Sequence, residues 1–228
     1  MNRRRKQALF WGRAYLEILA YIAGVSLCMF AITDVGSREY VWNGGKSLAA
    51  ELAARYTAYV LMVGLFFVVI YSISYFSMGF HVLLSMNATR TSIVNGIMCM
   101  LGGTMLTIQA FAGMMWRLLG GETSSKGLIA LPFLSGGMFA LTAVFVVGNL
   151  VVLKWGQRGG IIMGLMCALL GGCAGMSFVL LKDGWGLQKL NMDIVHRYAG
   201  LFLALGIFLF ICVWFLALRA TRKAQVIR

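Results

Sequence analysis

Acidic residues and histidines, which could move protons or hold metal ions, are few in this chain, and they lie at the ends of its long apolar runs or between them. The sequence has 228 residues, with 7 Asp or Glu, 2 His and 5 Cys. An ion-coupled carrier needs ionisable groups inside its membrane spans. Here the acids lie near the ends of apolar runs or between them, and the run interiors offer neutral groups such as Ser72, Gln109 and Asn149. This distribution disfavours transport driven by protons or ions.

Redox and hydrolytic chemistry are disfavoured as well. His81 and His196 are expected on opposite sides of the membrane, so they do not suit the paired axial ligation of a haem. The cysteines lie within apolar runs and form no CxxC pair, which favours a packing role. The sequence contains no GxxxxGK[ST], HExxH or GxSxG motif. We expect no enzyme activity, cofactor or metal in this chain itself.

The segment between the second and third apolar runs has the most informative pattern. A short apolar stretch is followed by a polar turn with a single arginine. Such a segment can form a stubby helix at the cytoplasmic face, and a cytosolic partner that pushes it would tilt both flanking spans together. The helix that follows could be capped by one of four residues: Ser85, Asn87, Thr89 or Ser92. We predict a coupling segment made of Phe80, His81, Leu83, Leu84, Ser85, Asn87, Thr89 and Arg90.

Residues 84–90, which read LSMNATR and are followed by Gly96, resemble the motif LSFGATRK…G of small ABC-2 type permeases from Gram-positive bacteria. In that family the motif also lies between the second and third spans. Asn87 stands where the family usually has glycine, and Asn tolerates left-handed backbone nearly as well as Gly does. Thr91 stands where a basic residue is common, so a contact with an ATPase would lack a second charge.

The resemblance implies the permease subunit of an ABC transporter in the bacterial plasma membrane. Two identical or homologous permease chains would pair above two cytosolic ABC ATPase subunits, which would bind ATP and Mg. Members of the family export hydrophobic or amphipathic substrates, including antimicrobial and secreted peptides. The 15 methionines suit such substrates, because soft side chains adapt to varied shapes.

A strip of small residues recurs at intervals of four after the fourth apolar run. Its members are Gly156, Gly160, Gly164, Ala168 and Gly172. Small side chains let two helices approach closely, so that van der Waals contact and weak CH···O bonds hold the pair. The strip predicts close helix contact, either within this chain or with another subunit.

Long apolar runs must position all of these residues. The chain is 61% hydrophobic and 12% charged, unlike a soluble domain of this size. A spanning helix needs about 20 mostly apolar residues, and its backbone must satisfy its own hydrogen bonds in lipid. We therefore predict an all-α polytopic fold and a single transmembrane domain. A basic interfacial helix over residues 1–14 precedes six predicted spans, at residues 15–33, 56–76, 93–116, 128–153, 159–181 and 198–218.

The distribution of charge predicts that both ends of the chain are cytoplasmic. The inner segments then hold most of the basic residues and a single acid, Glu17, which can pair with Arg13 one helical turn earlier. The other acids fall in the outer loops: Asp34, Glu39, Glu51, Glu122, Asp183 and Asp193. The net charge of +13 therefore suits inner segments beside anionic lipid, and we expect no nucleic-acid partner.

Two other functions fit the same pattern. A non-transport scaffold or regulator could associate with another membrane protein through the small-residue strip. A stand-alone carrier for a neutral solute would need no ATPase. Association with a cytosolic ATPase distinguishes the permease from both.

Overall fold

The described part of the chain is all-helical. The computed structural model describes residues 3–35, 48–76, 80–85, 89–119, 122–156, 158–161 and 192–223, and none of these residues is in a β-strand. The helices are α1 (Arg3–Phe30, continued by a π-helical turn over Ala31–Val35), α2 (Leu48–Ser74), α3 (Phe80–Ser85), α4 (Arg90–Leu119), α5 (Glu122–Trp155) and α6 (Met192–Lys223). The all-α prediction is confirmed for these residues.

Among the described residues, 5 helices are long and apolar enough to cross a membrane. They cover Ala8–Thr33, Arg55–Ser74, Arg90–Leu118, Leu131–Trp155 and Arg197–Thr221. Each overlaps one of the predicted spans. The remaining predicted span, residues 159–181, lies almost wholly outside the described residues. The chain therefore has the helices of a multi-pass membrane protein.

Residues 3–14 do not form the separate interfacial helix that we predicted. They are the first part of α1, which runs without a break from Arg3 to Phe30. The reason is packing: the Trp11 indole lies against Gly96, and the hydroxyls of Tyr15 and Thr107 form a hydrogen bond. These contacts hold the first part of α1 against α4.

Helix α4 lies at the centre of the bundle and contacts each of the other five helices. On its buried face, Ile93, Ile97, Leu101 and Met105 are each at most 1% exposed. Helices α1 and α6 are peripheral, because 17% of each spanning window is buried, compared with 44% for α4 and 50% for α5. Of the described spans, α1 and α6 are therefore the least buried.

Side-chain contacts show that α4 runs antiparallel to three of its neighbours. Gly64 in the middle of α2 lies beside Ile108 of α4, whereas Tyr75, just after α2, shares the Trp11 ring with Gly96 near the start of α4. The contacts with α5 and α6 pair early residues of one helix with late residues of the other: Gly113 with Leu131, Met105 with Thr142, Arg90 with Thr221 and Gly102 with Phe210. Because α5 and α6 are both antiparallel to α4, they are parallel to each other.

Aromatic contacts give the same direction for α5 and α6 independently. The ring centroids of Phe133 and Phe202 lie 4.5 Å apart, and those of Phe139 and Phe210 lie 5.5 Å apart. The later residue of α5 thus pairs with the later residue of α6. The end of α5 and the beginning of α6 therefore lie at opposite ends of the bundle.

One end of the bundle is strongly basic. Helices α1 and α4 begin there, and α2, α5 and α6 end there, because Trp11 of α1 lies beside Tyr75 at the end of α2. The basic residues at this end are Arg3, Arg4, Arg5, Lys6, Arg13, Arg90, Lys154, Arg158, Arg219, Arg222 and Lys223. We call this the basic end. The opposite end mixes both signs of charge, including Glu51, Arg117, Glu122 and Asp193.

Candidate coupling site

Helix α3 forms the core of the predicted coupling segment. It is a six-residue helix at the basic end, between the ends of α2 and α4. Phe80 and Leu83 lie three residues apart on one face and are 5% and 8% exposed. Leu84 is partly buried against the same hydrophobic core. These three side chains thus pack the segment against the bundle instead of facing solvent.

Three predicted members of the coupling segment have undescribed side chains. His81 and Ser85 belong to the helical backbone of α3, but their side chains lie outside the described part of the structure, and Asn87 lies outside the described residues. The roles assigned to these three residues stay predictions.

Thr89 caps the start of α4. The backbone N–H of Ser92 donates a hydrogen bond to the Thr89 hydroxyl over 3.3 Å, and the N–H of Ile93 donates to the Thr89 carbonyl over 3.0 Å. This is the geometry of an N-cap residue, which satisfies donors that have no partner in the first helical turn. Of the four residues that the sequence offered as caps, Thr89 takes this role for α4.

Arg90 joins α4 to α6. Its guanidinium donates a hydrogen bond over 3.4 Å to the carbonyl oxygen of Thr221, in the last turn of α6. A cation at a helix C-terminus is favoured because the terminal carbonyls lack helical partners. Closer to the bundle centre, the Trp214 indole N–H donates to the Asn95 side-chain oxygen over 2.9 Å. Two polar contacts therefore hold the first half of α4 against α6.

Gly96, the glycine of the motif, provides the surface on which Trp11 packs. A Cβ atom at Gly96 would overlap the Trp11 indole. The same indole lies beside Tyr75 at the end of α2, with ring centroids 5.6 Å apart. Trp11 therefore contacts the residues that flank the coupling segment on both sides. Sequence analysis missed this role of Trp11, although a tryptophan within a basic segment could have pointed to it.

The pairing predicted for Arg13 and Glu17 is confirmed. The Arg13 Nε lies 2.9 Å from a Glu17 carboxylate oxygen, and the two side chains are 84% and 54% exposed. Such an exposed pair contributes little to stability, roughly 0.3–0.5 kcal/mol. Its main effect is to neutralise the acid that lies at the basic end.

Two contacts between buried side chains join helices through polar groups. The Asn149 amide donates to the Ser72 hydroxyl over 3.5 Å, and the Thr142 hydroxyl donates to the Met105 sulfur over 3.3 Å. The described residues contain no group of three His, Cys, Asp or Glu side chains that could hold a metal ion. Within the described spans, these neutral contacts join helices and supply no acid–base chemistry.

Two glycines of the predicted small-residue strip are described. Gly156 has a positive φ of 56° and ends α5, with its N–H bonded to the Val152 carbonyl over 2.8 Å. At Gly160, as at Gly156, a Cβ atom would meet nothing within 4 Å. Gly164, Ala168 and Gly172 lie outside the described residues, so the packing role of the strip stays a prediction.

The closest crossing of described helices uses two other glycines. Gly136 of α5 faces Gly206 of α6, where a Cβ on Gly206 would lie 2.8 Å from the Gly136 Cα. A Cβ on Gly136 would in turn overlap the Phe202 carbonyl oxygen. Sequence analysis missed this crossing because each helix contributes a single essential glycine and no repeat marks it.

Comparison with known proteins gave no relative for this chain. No family model matches it, and neither the curated proteins nor the solved structures include a significant match.

Proposed function

We propose that this chain is the membrane-spanning permease subunit of an ABC transporter, and that it exports a hydrophobic or amphipathic substrate such as an antimicrobial or secreted peptide. A separate cytosolic ATPase would bind ATP and Mg. The observation that carries the proposal is α3, which is held between α2 and α4 at the basic end by the burial of Phe80 and Leu83. A short rigid helix in this position can receive a force from the cytosol and pass it to both spans.

The proposal places the basic end of the bundle in the cytosol of a plasma-membrane protein with six spans. Its excess of Lys and Arg supports this orientation, since cytoplasmic segments of membrane proteins are enriched in these residues. The parallel directions of α5 and α6 support a sixth span. A chain that leaves α5 at the basic end must cross the bundle once to begin α6 at the other end. The predicted span at residues 159–181 has the necessary length, about 20 residues.

Contacts around α3 give the proposed force a route through the bundle. Trp11 links α1 to the residues on either side of the segment, Tyr75 and Gly96. Arg90 links the start of α4 to the last turn of α6 through the Thr221 carbonyl. A displacement of α3 would therefore transmit force to α1, α2, α4 and α6 together. Closure of two ATPases under a pair of such permease subunits would move the spans, and hydrolysis would return them.

The test begins with a search for the ATPase partner. The full-length protein is purified from its native membranes after mild crosslinking, and co-purifying chains with Walker motifs are identified by mass spectrometry. ATPase activity of the complex is then measured in lipid vesicles. Arg90→Ala is compared with Arg219→Ala, because both remove one positive charge at the basic end and Arg219 is exposed on α6.

We expect a stable complex in which this chain stimulates ATP hydrolysis by the ATPase. Arg90→Ala should abolish most of that stimulation, whereas Arg219→Ala should retain it. Both variants should insert into the membrane normally. Equal stimulation by the two variants would contradict coupling through Arg90. Purification with a membrane protein and without any ATPase would favour the scaffold or regulator instead.

A further inference from the structure

A ladder of aromatic rings joins α1 to α2 at the side of the bundle. In order, its rings belong to Tyr21, Phe67, Tyr71, Tyr75, Trp11 and Phe10. Consecutive ring centroids lie between 5.2 and 6.4 Å apart, and the first four rings are stacked, with interplanar angles of 4°, 28° and 25°. Three of the stacked rings recur at every fourth residue of α2 and therefore share one face of that helix. We call the six residues the aromatic ladder.

The aromatic ladder runs from the basic end into the membrane-spanning part of the bundle. Trp11 and Tyr75 lie at the basic end, where Tyr75 is partly exposed. Tyr21 lies further along α1, about 15 Å from Trp11 at the helical rise of roughly 1.5 Å per residue. Its side chain is 56% exposed on the described bundle. The aromatic ladder thus joins an exposed phenol within a span to a phenol at the basic end.

The three phenols of the aromatic ladder do not use their hydroxyls to join helices. By contrast, the hydroxyls of Tyr15 and Tyr59 form hydrogen bonds with threonines of neighbouring segments. The hydroxyls of Tyr21, Tyr71 and Tyr75 form no hydrogen bond to another described residue, although the hydroxyl of a buried tyrosine usually finds a partner. Tyr21 and Tyr71 are close enough to interact electrostatically. These three O–H groups therefore have a reactive hydrogen and no structural bond to lose.

We propose that the phenols of Tyr21, Tyr71 and Tyr75 form a relay that reduces lipid peroxyl radicals with hydrogen atoms from a water-soluble reductant at the basic end, such as ascorbate. A phenol can reduce a peroxyl radical because the O–H bond that forms in the hydroperoxide is comparable in strength to the O–H bond that breaks. The stacked rings give the electron a continuous path between the phenols. This activity needs no ATPase and goes beyond the export proposed above.

Each step of the relay moves one hydrogen atom, as an electron and a proton. The peroxyl radical takes the hydrogen of the Tyr21 hydroxyl, which leaves a lipid hydroperoxide and a Tyr21 phenoxyl radical. Tyr71 supplies an electron and its phenolic proton to Tyr21, and the electron passes through the Phe67 ring stacked between them. Tyr75 restores Tyr71 in the same way. The ascorbate monoanion then gives a hydrogen atom to the Tyr75 radical and becomes the ascorbyl radical anion, so every tyrosine is regenerated.

Vesicles of a polyunsaturated phosphatidylcholine test the relay in the full-length protein. A lipid-soluble azo compound starts peroxidation, and the formation of lipid hydroperoxide is followed with and without ascorbate on both sides of the membrane. Tyr71→Phe keeps the ring stack and removes the middle hydroxyl. The matched control, Tyr198→Phe, removes a phenol that is 51% exposed on α6 and lies outside the aromatic ladder. Circular dichroism checks that both variants are folded.

We expect the wild-type protein to slow hydroperoxide formation when ascorbate is present, beyond the effect of ascorbate in protein-free vesicles. Tyr71→Phe should lose this ascorbate-dependent slowing, whereas Tyr198→Phe should retain it. Electron paramagnetic resonance should show a tyrosyl radical that persists with ascorbate in Tyr71→Phe and disappears in the wild-type protein.

Three results would overturn the relay. They are the absence of any slowing by the wild-type protein, equal slowing by Tyr71→Phe and the wild-type protein, and an equal loss of slowing in Tyr198→Phe. If Tyr71→Phe does not fold, Tyr75→Phe interrupts the same relay at the basic end, and the same three results apply to it.

Discussion

Arg90 donates a hydrogen bond to the Thr221 carbonyl oxygen, so the first residue of α4 is joined to the last turn of α6 over 3.4 Å. Arg90 is also the only basic residue of the segment that resembles the ABC-2 permease motif. Its charge lies at a helix C-terminus, where the unpaired carbonyls favour a cation. Sequence analysis assigned Arg90 to a contact with a cytosolic ATPase, whereas in the structure it contacts the Thr221 carbonyl of its own chain.

Glycine is required at the crossing of α5 and α6. Gly206→Ala should lower stability by about 1–3 kcal/mol, because its Cβ would be forced against the backbone of Gly136. The matched control is Gly137→Ala, where a Cβ meets nothing within 4 Å and alanine favours the helix by about 0.5–1 kcal/mol. Thermal unfolding in detergent, followed by size-exclusion chromatography, measures both variants. Equal losses of stability would contradict a backbone contact at Gly206.

Trp11 and Gly96 should behave as a coupled pair. Gly96→Ala should cost about 1–3 kcal/mol when Trp11 is present, because the added Cβ overlaps the indole. In a Trp11→Leu background the same change should cost much less, since the overlapping ring is gone. A double-mutant cycle on thermal stability measures the interaction. Strictly additive effects would show that the two residues do not touch.

Ser26 and Ser72 should respond in opposite directions to alanine. The buried Ser26 hydroxyl has no hydrogen-bond partner among the described residues, so Ser26→Ala removes an unsatisfied group and should raise stability by about 1 kcal/mol. The Ser72 hydroxyl accepts a hydrogen bond from the buried Asn149, so Ser72→Ala should lower stability by about 1 kcal/mol. Melting temperatures of the two variants in the same detergent make the comparison. A loss for Ser26→Ala as large as that for Ser72→Ala would refute the assignment.

Loss of the N-cap should weaken the start of α4. Thr89→Ala removes the hydroxyl that accepts from the Ser92 N–H and should cost about 1 kcal/mol, whereas Thr89→Ser keeps the acceptor and should be nearly neutral. Amide hydrogen exchange at the first turn of α4 reports the effect locally. Unchanged exchange in Thr89→Ala would mean that another group caps the helix.

Apolar runs predicted the five described spans well because lipid leaves the backbone few alternatives. A long run without internal charge must satisfy its own hydrogen bonds, and a helix does so over any such run. The same rule does not predict how far a helix continues beyond the hydrocarbon layer of the membrane. Helix α1 continues back to Arg3 because Trp11 packs against Gly96, a residue far away in the sequence.

Pairwise contacts were harder to predict than helices. Regular spacing drew attention to the strip that begins at Gly156, yet the tightest crossing of described helices joins Gly136 and Gly206, which belong to no repeat. The sequence predicted a short helix between the second and third spans, where α3 lies, and Thr89 was among the possible caps of the helix that follows. The inward burial of Phe80 and Leu83 depends on the surrounding helices, which a local pattern does not contain.

The central position of α4 has a consequence for biosynthesis. Its neighbours α1 and α2 leave the ribosome before it, and α5 and α6 leave after it. Asn95 and Arg90 meet their partners on α6 last, because Trp214 and Thr221 are synthesised near the end of the described chain. A nascent chain that has inserted α4 can therefore form these two contacts only after α6 has been inserted.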